Sequence, residues 1–280
     1  MDLWRPLLSF TAVSALAVVL SRSEGSRSVT AAPDATRGLA ILEHFADSLP
    51  RHAGNGLRCT SCHLDAGHRG TAMPWLGVTA RYPRFRSRRG SIESIEQRVN
   101  DCVTRSLAGS ALPENDPAMQ DMVAYFETLR TAAVPTRPDT VRLEGDTVRG
   151  ARAYLATCAR CHGASGSEPG LAVPPAFGAR SFSIGAGMAR QRVLATFLRW
   201  NMPYDGAGTL PAQAAADIAA WVLRQPRPDH PGKERDWPRG DAPVDVAYAT
   251  EGARAAGRPL PQPRPTLPRR MSPVTRKQHP

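Results

Sequence analysis

Four cysteines of the chain fall into two five-residue patterns of one type, CTSCH at 59–63 and CARCH at 158–162. In each, two thiols separated by two residues stand directly before a histidine. Such a pair can form thioethers to both vinyl groups of one haem, and the adjacent histidine is then held beneath the iron as its proximal ligand. A lone CxxC would equally suit a redox dithiol or half a zinc site. A histidine following directly, twice, behind an apolar leader points instead to two covalently bound haem c groups. Cys59 and Cys62 with His63 make the first attachment site, and Cys158 and Cys161 with His162 the second.

Each iron then needs a sixth ligand or an open position. In the second half Met202 stands 40 residues after His162, in WNMPYDG just ahead of the last helix expected there. A thioether at that place stabilises Fe(II) and raises the potential. Met188, in GAGMAR, is its rival. The first half has no methionine at the equivalent place; Cys102, 39 residues after His63, occupies it. A thiolate there would lower the potential. An unpaired cysteine in an oxidising compartment needs a reason to persist, and coordination supplies one. Met73, in GTAMPWLG, competes with Cys102, and His68 and His52 are weaker competitors. The expected iron ligands are therefore His63 and Cys102 in the first half, and His162 and Met202 in the second.

The elements that position these groups recur in the same order in both halves. An apolar-periodic segment over 38–49 precedes the first CxxCH, a loop-rich stretch follows it, and a helix closes the half. That helix has Asp116 as N-cap and Pro117 at its first position. Met119, Met122, Val123, Phe126 and Leu129 share one of its faces. The second half has Gly150 and Tyr154, then CARCH, a Gly- and Pro-rich loop, and a closing helix over 211–224 with Ile218, Trp221 and Val222 on one face. Residues 131–140 read as the linker. Strand signals are scarce, so the expected fold is all-α: tandem class I cytochrome c-like domains, each with one haem c.

Composition sets the outer limits. The 280 residues carry 36 Lys+Arg against 25 Asp+Glu, a formal charge of +11. Five cysteines are too few for a disulfide scaffold, and no apolar run suits a multi-span membrane protein. Residues 1–32 hold an uncharged stretch over 7–20 and read as a signal peptide or an N-terminal anchor, which puts the protein in the periplasm, with membrane contact only through that anchor. The first domain is expected over 33–134 and the second, with a C-terminal extension, over 135–250. Residues 251–280, with seven Pro and seven basic residues against one acid, are expected to be a disordered basic tail rather than a nucleic-acid binder. The charge that bears on function is local: Arg81, Arg84, Arg86, Arg88 and Arg89 lie within nine residues, and Arg98 and Arg105 follow. Guanidinium forks suit a small oxyanion, although part of such a cluster serves as a solvated face or meets haem propionates.

The runs LRCTSCHLDAG, WLGVTARYPRFRSRRGSIESIEQRVNDCVTRSLAG and MVAYFETL resemble the thiosulfate dehydrogenase family of dihaem cytochromes, and the resemblance continues through HPGKERDWPRGDAPVDVAY, covering about residues 36–250. It implies oxidation of two thiosulfates to tetrathionate, with electrons passing from haem one through haem two to an external redox partner, a cytochrome or another high-potential carrier. It implies that the first haem, with His63 and Cys102, is the active site, and that Arg88, Arg98 and Ser106 line its substrate pocket. Some members carry a Lys beside the distal Met; Asn201 stands there in this chain. We expect Cys102 to take up a sulfane sulfur that a second thiosulfate then removes. The alternatives are a non-catalytic dihaem electron carrier, or a related cytochrome working mainly as a tetrathionate reductase.

Overall fold

The computed structural model describes residues 31–136, 138–167 and 173–268. The expected leader lies outside these residues except for Ala31 and Ala32. In chain order the helices are α1 (Ala35–Glu43), α2 (Phe45–Ser48), α3 (Ile95–Asp101), α4 (Pro117–Thr128), α5 (Thr147–Thr157), α6 (Ala159–His162), α7 (Gln191–Asn201), α8 (Ala212–Arg224) and α9 (Glu251–Ala255). Two short sheets complete the described elements. β1 (Arg84–Arg86) pairs antiparallel with β2 (Ser91–Glu93), and β3 (Arg227–Pro228) pairs parallel with β4 (Thr266–Leu267).

The helices begin where side-chain chemistry favours them. Asp116 accepts the Ala118 N–H at the head of α4, where Pro117 forgoes a donor that would have no partner. Asp34 and Asp146 accept the N–H of Arg37 and Arg149, three residues on, at the heads of α1 and α5. The expected apolar stripe of α4 is buried: Met119, Met122, Phe126 and Leu129 lie in the core with Leu42 and Phe45. The second half repeats the scheme with Tyr154, Ile218, Val222 and Leu223.

Each half is built on one pair of crossed helices, α1 with α4 and α5 with α8. The crossing is close enough to need glycine. A Cβ on Gly38 would lie 2.0 Å from the Asp121 carbonyl oxygen, and one on Gly150 would lie 2.0 Å from that of Asp217. The same aspartates lock the crossing. Arg37 donates to both Asp121 carboxylate oxygens at 2.9 and 2.8 Å, and Arg149 to both of Asp217 at 2.7 and 3.0 Å. The backbone N–H of the helix cap joins each carboxylate, Asp34 at 2.7 Å and Asp146 at 2.8 Å.

This clasp makes an acid-lability prediction. The Arg149 hydrogen bonds and the Asp146 and Gln213 donors, acting against burial, hold the Asp217 carboxyl at about 2, down from 3.8. A carboxylate with a lowered folded-state pKa stabilises the fold above its unfolded value, and that stabilisation disappears as pH falls through the folded value. Asp217→Asn is expected to lower stability by about 2 kcal/mol at neutral pH, the order of a hydrogen bond to a charged group. It should also flatten the fall of Tm between about pH 4 and about pH 2. Thermal melts of both proteins across that range read the difference.

The halves meet through backbone and polar contacts. Asn55 donates to the carbonyls of Ser106 (2.8 Å) and Ser181 (2.9 Å), Gly56 donates to the Arg180 carbonyl (3.2 Å), and the Ser183 hydroxyl donates to the Arg105 carbonyl. Buried Asn201 exchanges bonds with Thr71: the Thr71 hydroxyl donates to Oδ1 at 2.8 Å, and Nδ2 donates to the Thr71 carbonyl at 3.1 Å.

The segment after α8 departs from the expected organisation. Composition predicts a disordered tail over 251–280, yet α9 and β4 lie within residues 251–268. Thr250 caps α9, Arg258 donates to the Gly240 carbonyl (2.6 Å), and Arg264 donates to the Ala189 carbonyl (2.8 Å). Arginine anchored on carbonyls substitutes for the apolar residues the segment lacks, which composition alone does not reveal. Residues 269–280 lie outside the described residues.

Candidate active site and haem centres

Both CxxCH segments hold their histidine in the way a haem ligand requires. His63 Nδ1 is 2.5 Å from the Met73 carbonyl, and His162 Nδ1 is 2.9 Å from the Pro174 carbonyl. A carbonyl at Nδ1 fixes that nitrogen as the N–H and leaves Nε2 as the ligating lone pair. His63 also stacks on Trp75, with ring centroids 4.9 Å apart. Burial, opposed by the Met73 carbonyl, pushes the His63 imidazole down to about 4, so it is neutral and able to ligate at pH 7. No two of the five cysteines are joined in a disulfide. Among the described residues no group of three His, Cys, Asp or Glu could hold a metal ion by itself. The donor set therefore fits haem attached through two thioethers and one histidine, and it does not make a zinc site.

The other candidates for the distal positions are placed as follows. Met73 serves His63 through its own carbonyl. His68 is exposed and contacts the Asp65 carbonyl, and His52 contacts the Ser110 carbonyl. Met202 caps the C-terminus of α7, partly buried against the core, while Met188 is buried beside Gly187, which lines the arginine cavity of the first half.

Cys102 ends α3 and opens a π-helical turn, Cys102–Ser106. A π turn widens the helix by one residue and often marks a functional position. Here it sets Cys102 and Ser106 at the two ends of a single turn. The Cys102 charge is the largest influence raising Arg98 above the ordinary arginine value, and it also reaches Cys59 and Cys62. Arg98 in turn acts on His63. Cys102, Arg98 and the first CxxCH thus form one electrostatic neighbourhood.

Beside it opens a cavity of about 400 Å³, lined by Arg84, Arg86, Arg88, Arg98, Arg105 and Ser106 from the first half and by Arg190 and Trp237 from beyond it. The structure thereby brings together the three pocket residues that the sequence suggested, Arg88, Arg98 and Ser106. The β1–β2 hairpin explains the arginine run. The first strand and the turn after it run along the cavity, so residues 84–88 all line it and bring Arg84, Arg86 and Arg88 to one wall.

The arginines differ in how far they are committed. Arg86 faces buried Glu93 (3.4 Å), Arg89 faces Asp101 (3.3 Å), Arg190 faces Asp245 (2.8 Å), and Arg105 faces Asp236 (2.7 Å). Burial and then the Asp101 carboxyl push Glu93 up to about 7. Among the described residues Arg98 donates no side-chain hydrogen bond, although it lines the cavity next to Cys102. Its fork, like that of exposed Arg84 on the same wall, is available to an oxyanion. Sequence reading missed Arg190, Trp237 and Asp236. Asp236 and Trp237 lie in HPGKERDWPRG, a run that carried the family resemblance but no assigned role, and Arg190 had no signal.

Residues 50–130 match the SoxA/TsdA cytochrome c domain, and residues 145–222 match subunit III of the cbb3-type cytochrome c oxidase. The chain is 40% identical over 223 residues to a thiosulfate dehydrogenase of Psychrobacter arcticus, covering 75% of this chain and 68% of that protein. It is 38% identical over 211 residues to a thiosulfate dehydrogenase of Allochromatium vinosum, covering 69% and 77%. The solved thiosulfate dehydrogenase TsdBA of Marichromatium purpuratum, in its as-isolated form, superposes with a TM-score of 0.67 at 26% identity. That match covers 80% of this chain and 57% of the solved one, so the chain spans little more than half of that structure. Two cytochrome c domains carry two covalently bound haem c groups.

Proposed function

The chain belongs to the thiosulfate dehydrogenase family, and from that premise we propose that it joins two thiosulfates into tetrathionate at the Cys102 edge of the first haem site. The observation that carries this reading is the uncommitted Arg98 fork, set beside Cys102 in an arginine-lined cavity. When bound, the two haems supply one-electron acceptors, the first at the cavity and the second toward an external acceptor. Cys59, Cys62, His63 and Cys102 would hold the first haem, and Cys158, Cys161, His162 and Met202 the second.

The protein's own part is to bind, neutralise and hand over sulfur. Arg98 and Ser106 would receive the sulfonate oxygens of the first thiosulfate and leave its sulfane sulfur toward Cys102. Charge-assisted bonds from a planar fork fix both position and orientation. The Cys102 sulfur bonds to that sulfane sulfur, and two electrons leave. A second thiosulfate then attacks the bound sulfane sulfur, releasing tetrathionate and restoring the Cys102 thiolate, as in thiol–disulfide exchange. Two dianions must meet in this sequence, and the excess of arginine on the cavity wall lowers their mutual repulsion.

Turnover of the holoenzyme with thiosulfate and an artificial electron acceptor, then in reverse with tetrathionate and a reductant, tests the reading. A protein that accepts electrons from thiosulfate in neither assay would refute it. For the second site, Met202→Ala is expected to abolish the charge-transfer band of methionine-ligated ferric haem and to lower the potential of that haem. An optical redox titration of the variant checks both.

The uncharged stretch over 7–20 in the leader supports export to the periplasm. No described helix is long and apolar enough to cross a membrane.

A further inference from the structure

We infer that Asp236 and Tyr248, from the segment that follows the second domain, are positioning residues of the first domain's substrate cavity. They hold the guanidinium groups of Arg88 and Arg105 in place before an anion arrives. The inference deepens the thiosulfate reading and rests on it for the identity of the physiological ligand.

One buried carboxylate organises the arrangement. Asp236 receives Arg105 end-on, Nη1 to Oδ2 and Nη2 to Oδ1, both at 2.7 Å. Its Oδ2 also accepts the Tyr248 hydroxyl at 2.5 Å and lies 3.5 Å from Arg88 Nε. Arg88 is fixed on its remaining sides. It donates to the Gly185 carbonyl (3.1 Å) and to the Tyr248 hydroxyl (3.3 Å), and its guanidinium lies 4.3 Å from the Trp237 ring centroid. The Trp237 N–H donates to the Arg88 carbonyl at 2.9 Å, which pins the segment to the hairpin turn. Asp236 and Tyr248 are 4% and 6% exposed.

Two arginines side by side repel each other, and either alone would sample many rotamers. A single carboxylate between them offsets the repulsion and freezes both forks, so binding an anion need not order them. Losing that order for two long side chains corresponds to about a tenfold loss of affinity. A purely electrostatic role predicts the opposite sign, because removing a negative charge beside the cavity would tighten anion binding. A merely structural role would change Tm and leave affinity alone.

The test uses the holoenzyme of wild type, Asp236→Asn and Tyr248→Phe. It combines calorimetric titration with inorganic sulfate, a non-reacting dianion, with steady-state kinetics on thiosulfate. Positioning predicts that the sulfate Kd and the thiosulfate KM rise about tenfold in Asp236→Asn and about threefold in Tyr248→Phe. The kcat should stay within about threefold of wild type, and the ferric haem spectrum should not change. An unchanged or lowered Kd in Asp236→Asn overturns the inference. Should that variant fail to fold, an unchanged Kd in Tyr248→Phe, which loses only a hydroxyl, overturns it equally. A wild type that binds sulfate with the expected changes between variants but never turns over thiosulfate refutes the functional reading and leaves the positioning role standing.

Discussion

Cys102→Ala is expected to lower thiosulfate turnover by about 10³-fold or more while both haems stay covalently attached. The attachment cysteines Cys59, Cys62, Cys158 and Cys161 are untouched, so pyridine haemochrome content should equal wild type. What disappears is the sulfur at the first position of the π turn, the atom that the proposed mechanism has accept the sulfane sulfur of the first substrate. Removing a nucleophile that forms a covalent intermediate costs several orders of magnitude, because binding and electrostatics alone remain. On the proposed ligation the same variant should also change the ferric spectrum of the first haem, because its sulfur ligand is lost. Cys102→Ser should fare little better, as a hydroxyl neither matches the thiolate's nucleophilicity nor forms a stable sulfur–sulfur bond. Retention of full turnover in either variant would sink the assigned chemistry, whatever its spectrum.

Arg98→Gln carries the second large effect, an expected fall of about 10²- to 10³-fold in kcat/KM for thiosulfate. A hydrogen bond to a charged group contributes about 1.5–3 kcal/mol, and a bidentate fork makes two of them. Arg98 differs from Arg86, Arg105 and Arg190 because its fork has no protein acceptor among the described residues, and from exposed Arg84 because it lies beside Cys102. Arg86 and Arg190 are already committed to Glu93 and Asp245. Their replacement by Gln should therefore cost less than about tenfold, mostly through the field they add to the cavity. Arg98→Lys should recover only part of the loss, since a point charge cannot reproduce two parallel bonds. Steady-state kinetics on the four variants ranks them, and equal effects at Arg98, Arg86 and Arg190 would mean that net charge, rather than one fork, binds the substrate.

What could be read directly from the sequence was local. The CxxCH runs and the Asp116–Pro117 start of α4 are written within a few residues, and the structure has the helix there. The spacing of 39 residues drew attention to Cys102, and the cavity beside it gives that residue a setting. The clasps of the two helix pairs were half visible. DATRG at 34–38 and DTVRG at 146–150 repeat an Asp cap, an Arg and a Gly, but the partners Asp121 and Asp217 lie 84 and 68 residues from their arginines. Pairing across such separations follows from the fold and has no local signature. The hairpin was missed because strands of three residues barely alternate. It left only RFRSR, with arginine at every second place, as a trace. Residues 225–250 read only as an extension of the second domain and 251–280 as a tail, since charge and proline outnumber apolar residues there. The segment after α8 is held instead by arginines on carbonyls and by Asp236 and Trp237 against the first half, contacts that no periodicity announces.

The account turns on two thiosulfates becoming one tetrathionate at Cys102, and product stoichiometry tests it most directly. Anaerobic holoenzyme is mixed with thiosulfate and a limiting artificial acceptor, and tetrathionate is quantified against the electrons delivered. Wild type should give one tetrathionate and two electrons for every two thiosulfates consumed, and Cys102→Ala should give neither. Sulfite or sulfate as the product, or an unaltered tetrathionate yield and rate from Cys102→Ala, would contradict the account.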